Sequence, residues 1–255
     1  MQINTTINIL GSLQDWNLVV QFLESRYKER GDVGEGFQAF TSVKTHKSIQ
    51  RFEKAITDTL IRFENKEIEA LVRSLVDSEK ISINSLLLLF WNASFNNHLL
   101  SYLNRNVYFP AFYSGRMGIR SEEVVACMMD LKERESEQLG SWTDYTIEKV
   151  ASKYLTLLRK FGLMEGSQKK TISHPNLDDT MFVLFIYWIH AVEEKANLLL
   201  SSWLQYSFLE KQSFIEKLTQ KKFARFFRFN YTGDNLQVEP VLPYHTIYNE
   251  LVNPR

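Results

Sequence analysis

The stretch SWTDYTIEKVASKYLTLLRKFGLMEGSQKKTI, residues 141–172, decides how this chain is read. From Thr143 to Phe161 the apolar residues Ile147, Val150, Ala151, Tyr154, Leu157, Leu158 and Phe161 recur with the period of one helix face. Ser141 or Thr143 can cap the helix, and Gly162 stands where a left-handed C-terminal residue belongs. Leu163-Met164, a turn at Gly166-Ser167 and Lys169-Lys170-Thr171-Ile172 follow as a short hairpin. A helix followed at once by a hairpin is the order of a winged helix-turn-helix module.

The same stretch carries charge. Lys149, Lys153, Thr156 and Lys160 fall at i, i+4, i+7 and i+11, which predicts an exposed stripe opposite the apolar face, and Lys169 and Lys170 lie in the expected wing. Between Trp142 and His174 six cations (Lys149, Lys153, Arg159, Lys160, Lys169, Lys170) stand against Asp144, Glu148 and Glu165. Six more (Lys211, Lys217, Lys221, Lys222, Arg225, Arg228) stand against Glu216 alone between Lys211 and Arg228. That second region also reads as helix plus hairpin. A short helix, Phe214 to Lys221, precedes alternation at Phe227, Phe229 and Tyr231, a turn at Thr232-Gly233-Asp234-Asn235, and alternation again at Leu236 and Val238. Its aromatics, Phe223, Phe226, Phe227 and Phe229, suit core packing better than base stacking.

Outward from these regions the chain is helical. Apolar periodicity predicts helices over Asp15–Arg30, Ser42–Phe63, Glu67–Val76, Ile83–Leu103, from Ser121, over Asp178–Ala191 and over Lys195–Phe208, with Pro110 breaking the chain. The Ser42–Phe63 helix has a basic side of Lys44, Lys47, Arg51 and Lys54. The expected fold is mainly α: a helical bundle over 1–118, a winged-helix-like unit over 119–176, and C-terminal helices with a β-hairpin over 177–255.

Composition narrows the function. Thirty Lys and Arg balance thirty Asp and Glu, which excludes an indiscriminate polybasic coat for nucleic acid but permits a segregated basic face. The one cysteine, Cys127, supports neither a disulfide nor a zinc cluster and fits a reducing, cytoplasmic setting. The apolar runs Leu86–Trp91 and Met181–Ile189 fall far short of the ~20 residues a spanning helix needs. His46, His98, His174, His190 and His245 show no metal-ligand spacing, and the carboxylate pairs Asp178-Asp179 and Glu193-Glu194 diverge on a helix, Asp179 reading as a capping group. No nucleophile elbow and no dinucleotide or phosphate loop is present. The residues therefore point away from catalysis, metal, cofactor and small-molecule substrate, and towards a macromolecular partner.

Three segments resemble one family. Ser141-Trp142-Thr143-Asp144-Tyr145-Thr146, continuing through Leu155-Thr156-Leu157-Leu158 to Phe161-Gly162-Leu163-Met164, is similar to the W-S-x-x-T … L-x-x-x-G-L/Y pattern of the BrxA proteins of BREX phage-defence systems, with Thr143 in place of the pattern's first Ser. Lys44-Thr45-His46-Lys47-Ser48-Ile49-Gln50-Arg51 resembles the family's S-x-x-T-x-x-R helix, and Phe95-Asn96-Asn97-His98-Leu99-Leu100 through Val107-Tyr108-Phe109 its helix and aromatic link. The likeness spans roughly residues 10–175. It implies a helical bundle similar to the antitermination factor NusB, winged-helix elements, binding to double-stranded DNA, no catalytic role, and other BREX proteins as partners. The contact residues expected from spacing are Lys149, Lys153, Lys160, Lys169 and Lys170, extended by Lys44, Lys47 and Arg51 or by Lys221, Lys222 and Arg225. The alternative is an adaptor that docks onto a larger defence subunit without touching DNA.

Overall fold

The computed structural model of the chain describes residues 3–25, 45–75, 81–167, 169–193 and 197–252. In chain order its helices are α1 (Thr6–Leu10), α2 (Asn17–Ser25), α3 (His46–Thr59), α4 (Lys66–Leu75), α5 (Ile83–Asn96), α6 (His98–Leu103), α7 (Phe109–Tyr113), α8 (Ser121–Arg134), α9 (Ser136–Leu139), α10 (Asp144–Lys160), α11 (Asp179–Val192), α12 (Lys211–Leu218) and α13 (Ile247–Val252). Two antiparallel hairpins complete it: β1 (Met164–Glu165) with β2 (Thr171–Ile172), and β3 (Phe227–Tyr231) with β4 (Leu236–Pro240). The fold is mainly α, as the periodicity predicts. Its residues group into two compact units, one from 1–62 with 78–174, the other from 63–77 with 175–255. The first unit thus draws on both 1–118 and 119–176, while α4 belongs with the C-terminal helices.

In the first unit α5 is buried round most of its circumference, at Ser85 and from Leu87 to Ser94. Its one polar handle in mid-helix, Asn92, donates from Nδ2 to the carbonyls of Leu60 (2.8 Å) and Arg62 (3.0 Å), satisfying groups that the end of α3 leaves open. The helix predicted over Ile83–Leu103 is broken at Asn97, whose backbone is extended (φ −122°, ψ 106°) and whose Oδ1 accepts the Leu100 N–H at 2.9 Å, capping α6. Beyond α6 a π-helical turn, Asn104–Tyr108, runs straight into α7. Pro110 sits in the first turn of α7, where a missing N–H costs little, so it does not break the chain as predicted. The turn buries Asn104, which donates to Ser94 Oγ (3.0 Å) and accepts from Tyr154 Oη (3.0 Å), linking α5, the turn and α10.

α10 forms as its sequence demands. Thr143 Oγ1 accepts the Thr146 N–H, Asp144 lies in the positive first turn, Arg159 and Lys160 lie in the negative last turn, and Gly162 takes φ +77°. Its buried residues Ile147, Val150, Ala151, Tyr154, Leu155, Leu157 and Leu158 face α8 and α1. Gly11 admits the close approach of α1, since a Cβ there would lie 2.6 Å from the Lys153 carbonyl oxygen.

In the second unit α11 buries every residue from Met181 to Ile189, and α4, α13 and β4 pack on it. Tyr187 Oη donates to the Phe226 carbonyl (2.7 Å) and accepts from the Leu242 N–H (3.0 Å), pinning both ends of the β3–β4 hairpin. The helix predicted over Lys195–Phe208 does not form across its described part. Asn197 instead ties the segment to the hairpin, accepting from Leu236 N and donating to the Asp234 carbonyl, and only a 3-10 turn appears at Leu204–Ser207. α5 and α11 each have 14 residues, about 21 Å of helix. No helix among the described residues is long and apolar enough to cross a membrane.

Candidate nucleic-acid interface

The solvent side of α10 carries Tyr145, Glu148, Lys149, Ser152 and Arg159, with Thr156 half-buried between the last two. Tyr145 is 71% exposed, and the Lys149 ammonium lies 6.0 Å from its ring centre. This row is rotated from the predicted stripe. Of Lys149, Lys153 and Lys160 only Lys149 is exposed, because α1 packs along the side of α10 that carries the other two. Burial lowers the Lys160 pKa, neighbouring Arg159 and Lys153 add to the effect, and Asp15 opposes it. Arg159 was legible as the exposed cation, since Lys149, Ser152, Thr156 and Arg159 fall at i, i+3, i+7 and i+10; a stripe drawn through lysines passes over it.

The hairpin after α10 is short and held at three points. Gly166 turns it at φ +84°, the Ser173 N–H bonds to the Leu163 carbonyl (3.0 Å), and the Ile172 N–H bonds to the Met117 carbonyl (2.9 Å). Gly118 makes an isolated antiparallel bridge to Thr171, so the chain at 117–119 runs beside β2, which pairs with β1. A cleft of about 650 Å³ opens between this wing and the start of α8. Arg120, Lys169 and Lys170 bring cations to it, Glu122 brings one carboxylate, and Ile119 and Leu155 are its buried apolar residues. Arg120 belongs to no stretch that charge counting selects, since Glu122 and Glu123 stand two and three residues after it.

Glu123 has its own partner. It takes the Arg116 guanidinium at 2.6 Å and the Arg120 N–H at 3.1 Å, and the Arg116 hydrogen bond holds its carboxyl below the usual range. The Arg120 guanidinium stays 3.9 Å away with its side chain 85% exposed. Among the described residues no carboxylate lies within ion-pairing distance of Lys149, Arg159, Lys169 or Lys170.

The other expected contacts differ. Lys44 lies outside the described residues. Lys47 and Arg51 are exposed on α3, which packs on α1, α2 and α5, whereas α10 packs on α1 and α8. In the second unit Asp178, not Asp179, caps α11, its Oδ1 accepting the Met181 N–H at 2.7 Å. Asp179 instead binds Lys222 (2.5 Å) and lies 3.9 Å from Lys217. Lys217 also donates to the Leu177 carbonyl and sits 5.1 Å from the Phe182 ring centre. Arg225 stacks over Phe226 at 4.5 Å, and Lys221 is exposed. Phe223, Phe226 and Phe227 are buried and Phe229 is 42% exposed. Thus Lys222 is ion-paired and Arg225 packs on a ring.

Among the described residues no three His, Cys, Asp or Glu side chains gather as a metal site. His190 Nδ1 lies 3.0 Å from Tyr244 Oη, in the packing of the second unit, and burial pushes the half-buried Cys127 thiol up. In comparison with known proteins, residues 41–186, more than half of the chain, match the family model BrxA. No curated protein and no solved structure matches.

Proposed function

The chain belongs to the BrxA family, which is BREX-associated, and from that premise we propose that it is a non-enzymatic accessory protein that binds double-stranded DNA through α10 and the wing that follows it. The observation that carries this reading is that Arg120, Lys149, Arg159, Lys169 and Lys170, from three separate stretches of chain, belong to a single compact unit, the four at 149, 159, 169 and 170 with no carboxylate within ion-pairing distance among the described residues and Arg120 85% exposed beside a Glu123 that also holds Arg116. The β1–β2 hairpin, bridged at Thr171 by Gly118 and following a helix with a polar outer row, supports a winged-helix reading. A helix of about 10–12 Å diameter enters a major groove about 12 Å wide, and Tyr145, Ser152 and Thr156 supply groups that can meet base edges while the cations meet phosphates. The total charge of zero is no obstacle, because a chain of balanced total can still present cations on one face.

Fluorescence anisotropy of a labelled duplex, titrated at several salt concentrations, tests the proposal. Five phosphate contacts should give a log–log salt slope of about −4 to −5. Absent or salt-independent binding would overturn it. Incubation of the duplex with magnesium or manganese should leave it uncut, and cleavage would remove the non-enzymatic part of the reading.

A further inference from the structure

We infer that the cleft between the wing and the start of α8 is a socket for the DNA sugar-phosphate backbone, with Arg120 as its principal anion contact. This rests on the DNA-binding reading and adds to it a site and a residue. Three cations, Arg120, Lys169 and Lys170, face one carboxylate, Glu122, leaving formal charge for an anion. The nearest carboxylate, Glu123, takes the Arg116 guanidinium at 2.6 Å and stands 3.9 Å from that of Arg120, whose side chain is 85% exposed and can turn its planar fork to an oxyanion. Lys170 is held in place by backbone packing, since Gly118 approaches its carbonyl so closely that a Cβ would lie 2.7 Å away.

The lining decides between anions. Ile119 and Leu155 give the cleft an apolar floor beneath its basic rim. A deoxyribose ring can lie on that floor while its phosphate meets the rim. A glutamate-rich peptide would set polar amides against it. At about 650 Å³ the cleft admits a nucleotide-sized length of backbone.

The test compares Arg120→Gln, Lys169→Gln and Lys149→Gln with the unaltered chain, using a labelled duplex over a salt series and poly-glutamate as a competing probe. Circular dichroism and Tm confirm folding, and Lys169→Gln serves if Arg120→Gln does not fold. Arg120→Gln should weaken binding to duplexes of unrelated sequence by a similar factor and reduce the salt slope by about 0.9, so its deficit shrinks about threefold between 50 and 200 mM salt. If Arg120→Gln and Lys169→Gln bind like the unaltered chain while Lys149→Gln binds weakly, the socket is wrong and the DNA reading stands. If the unaltered chain ignores DNA, both fall. If Arg120→Gln loses poly-glutamate but keeps DNA, the cleft takes an acidic peptide and the inference is overturned.

Discussion

Residues 143–173 and 211–240 read alike in sequence, each a helix, a hairpin and six cations, yet they fold to different ends. In the first, a 17-residue helix keeps an outer row in solvent and a two-plus-two-residue hairpin takes a third segment, 117–119, alongside. In the second, the helix has 8 residues, a 3-10 turn (Lys221–Phe223) intervenes, and a five-plus-five-residue hairpin packs onto α11. A carboxylate outside each stretch adds an electrostatic difference. Glu123 turns to Arg116 and leaves Arg120 exposed, whereas Asp179 takes Lys222 and approaches Lys217. Local charge density is therefore an incomplete guide to free charge: a partner 38 to 43 residues away, Asp179, takes up Lys222 and approaches Lys217, two of the six cations that a window of sequence counts.

The contrast breaks most sharply in binding. The triple variant Lys149→Gln, Arg159→Gln, Lys169→Gln should lose at least about tenfold in duplex affinity at low salt and about 2.7 from the salt slope, whereas Lys221→Gln, Lys222→Gln, Arg225→Gln should bind like the unaltered chain. Equal losses from both triples would erase the distinction. Stability tests the two frameworks separately. Tyr154→Phe strips Asn104 Oδ1 of its buried donor, and Tyr187→Phe strips the Leu242 N–H of its acceptor while the Phe226 carbonyl keeps the Val241 N–H. Each should cost about 1–3 kcal/mol in urea unfolding. No change in either would mean that its hydroxyl pins nothing.

The smallest effect concerns pH. The folded Glu123 carboxyl lies below its ordinary value of 4.5, so it stabilises the fold above that pH, and the contribution is lost as pH falls through the folded pKa. Against Glu123→Gln, the unaltered chain should be more stable near neutrality and lose that advantage below about pH 4.5. The pair is partly exposed, so solvent screening limits the difference to about 1 kcal/mol or less. A constant difference across the acid range would show that the Arg116 pair does not hold the carboxyl down.

The sequence made α10, its cap, the Gly162 terminus and both hairpins readable, because each is specified by residues within a few positions. It hid the break at Asn97, where a capping side chain sits inside an apolar run that continues on either side. It hid the loss of helix before Phe208, which depends on Asn197 reaching the hairpin across 37 to 39 residues. The chosen lysine stripe failed for a similar reason. Periodicity finds the apolar face of α10, but only the packing of α1 decides which polar flank stays wet, and that flank carries Arg159 instead of Lys153 and Lys160. Arg120 was invisible because Glu122 and Glu123 come close after it in sequence while the cations that share its cleft come from the wing.

Hydrogen–deuterium exchange with and without duplex DNA at low salt tests the central distinction most directly. Peptides covering 117–122 and 144–172 should gain protection on adding DNA while those covering 211–240 stay unchanged. Protection confined to 211–240, or none in either region with duplex in excess, would contradict the assignment of the interface to α10 and its wing.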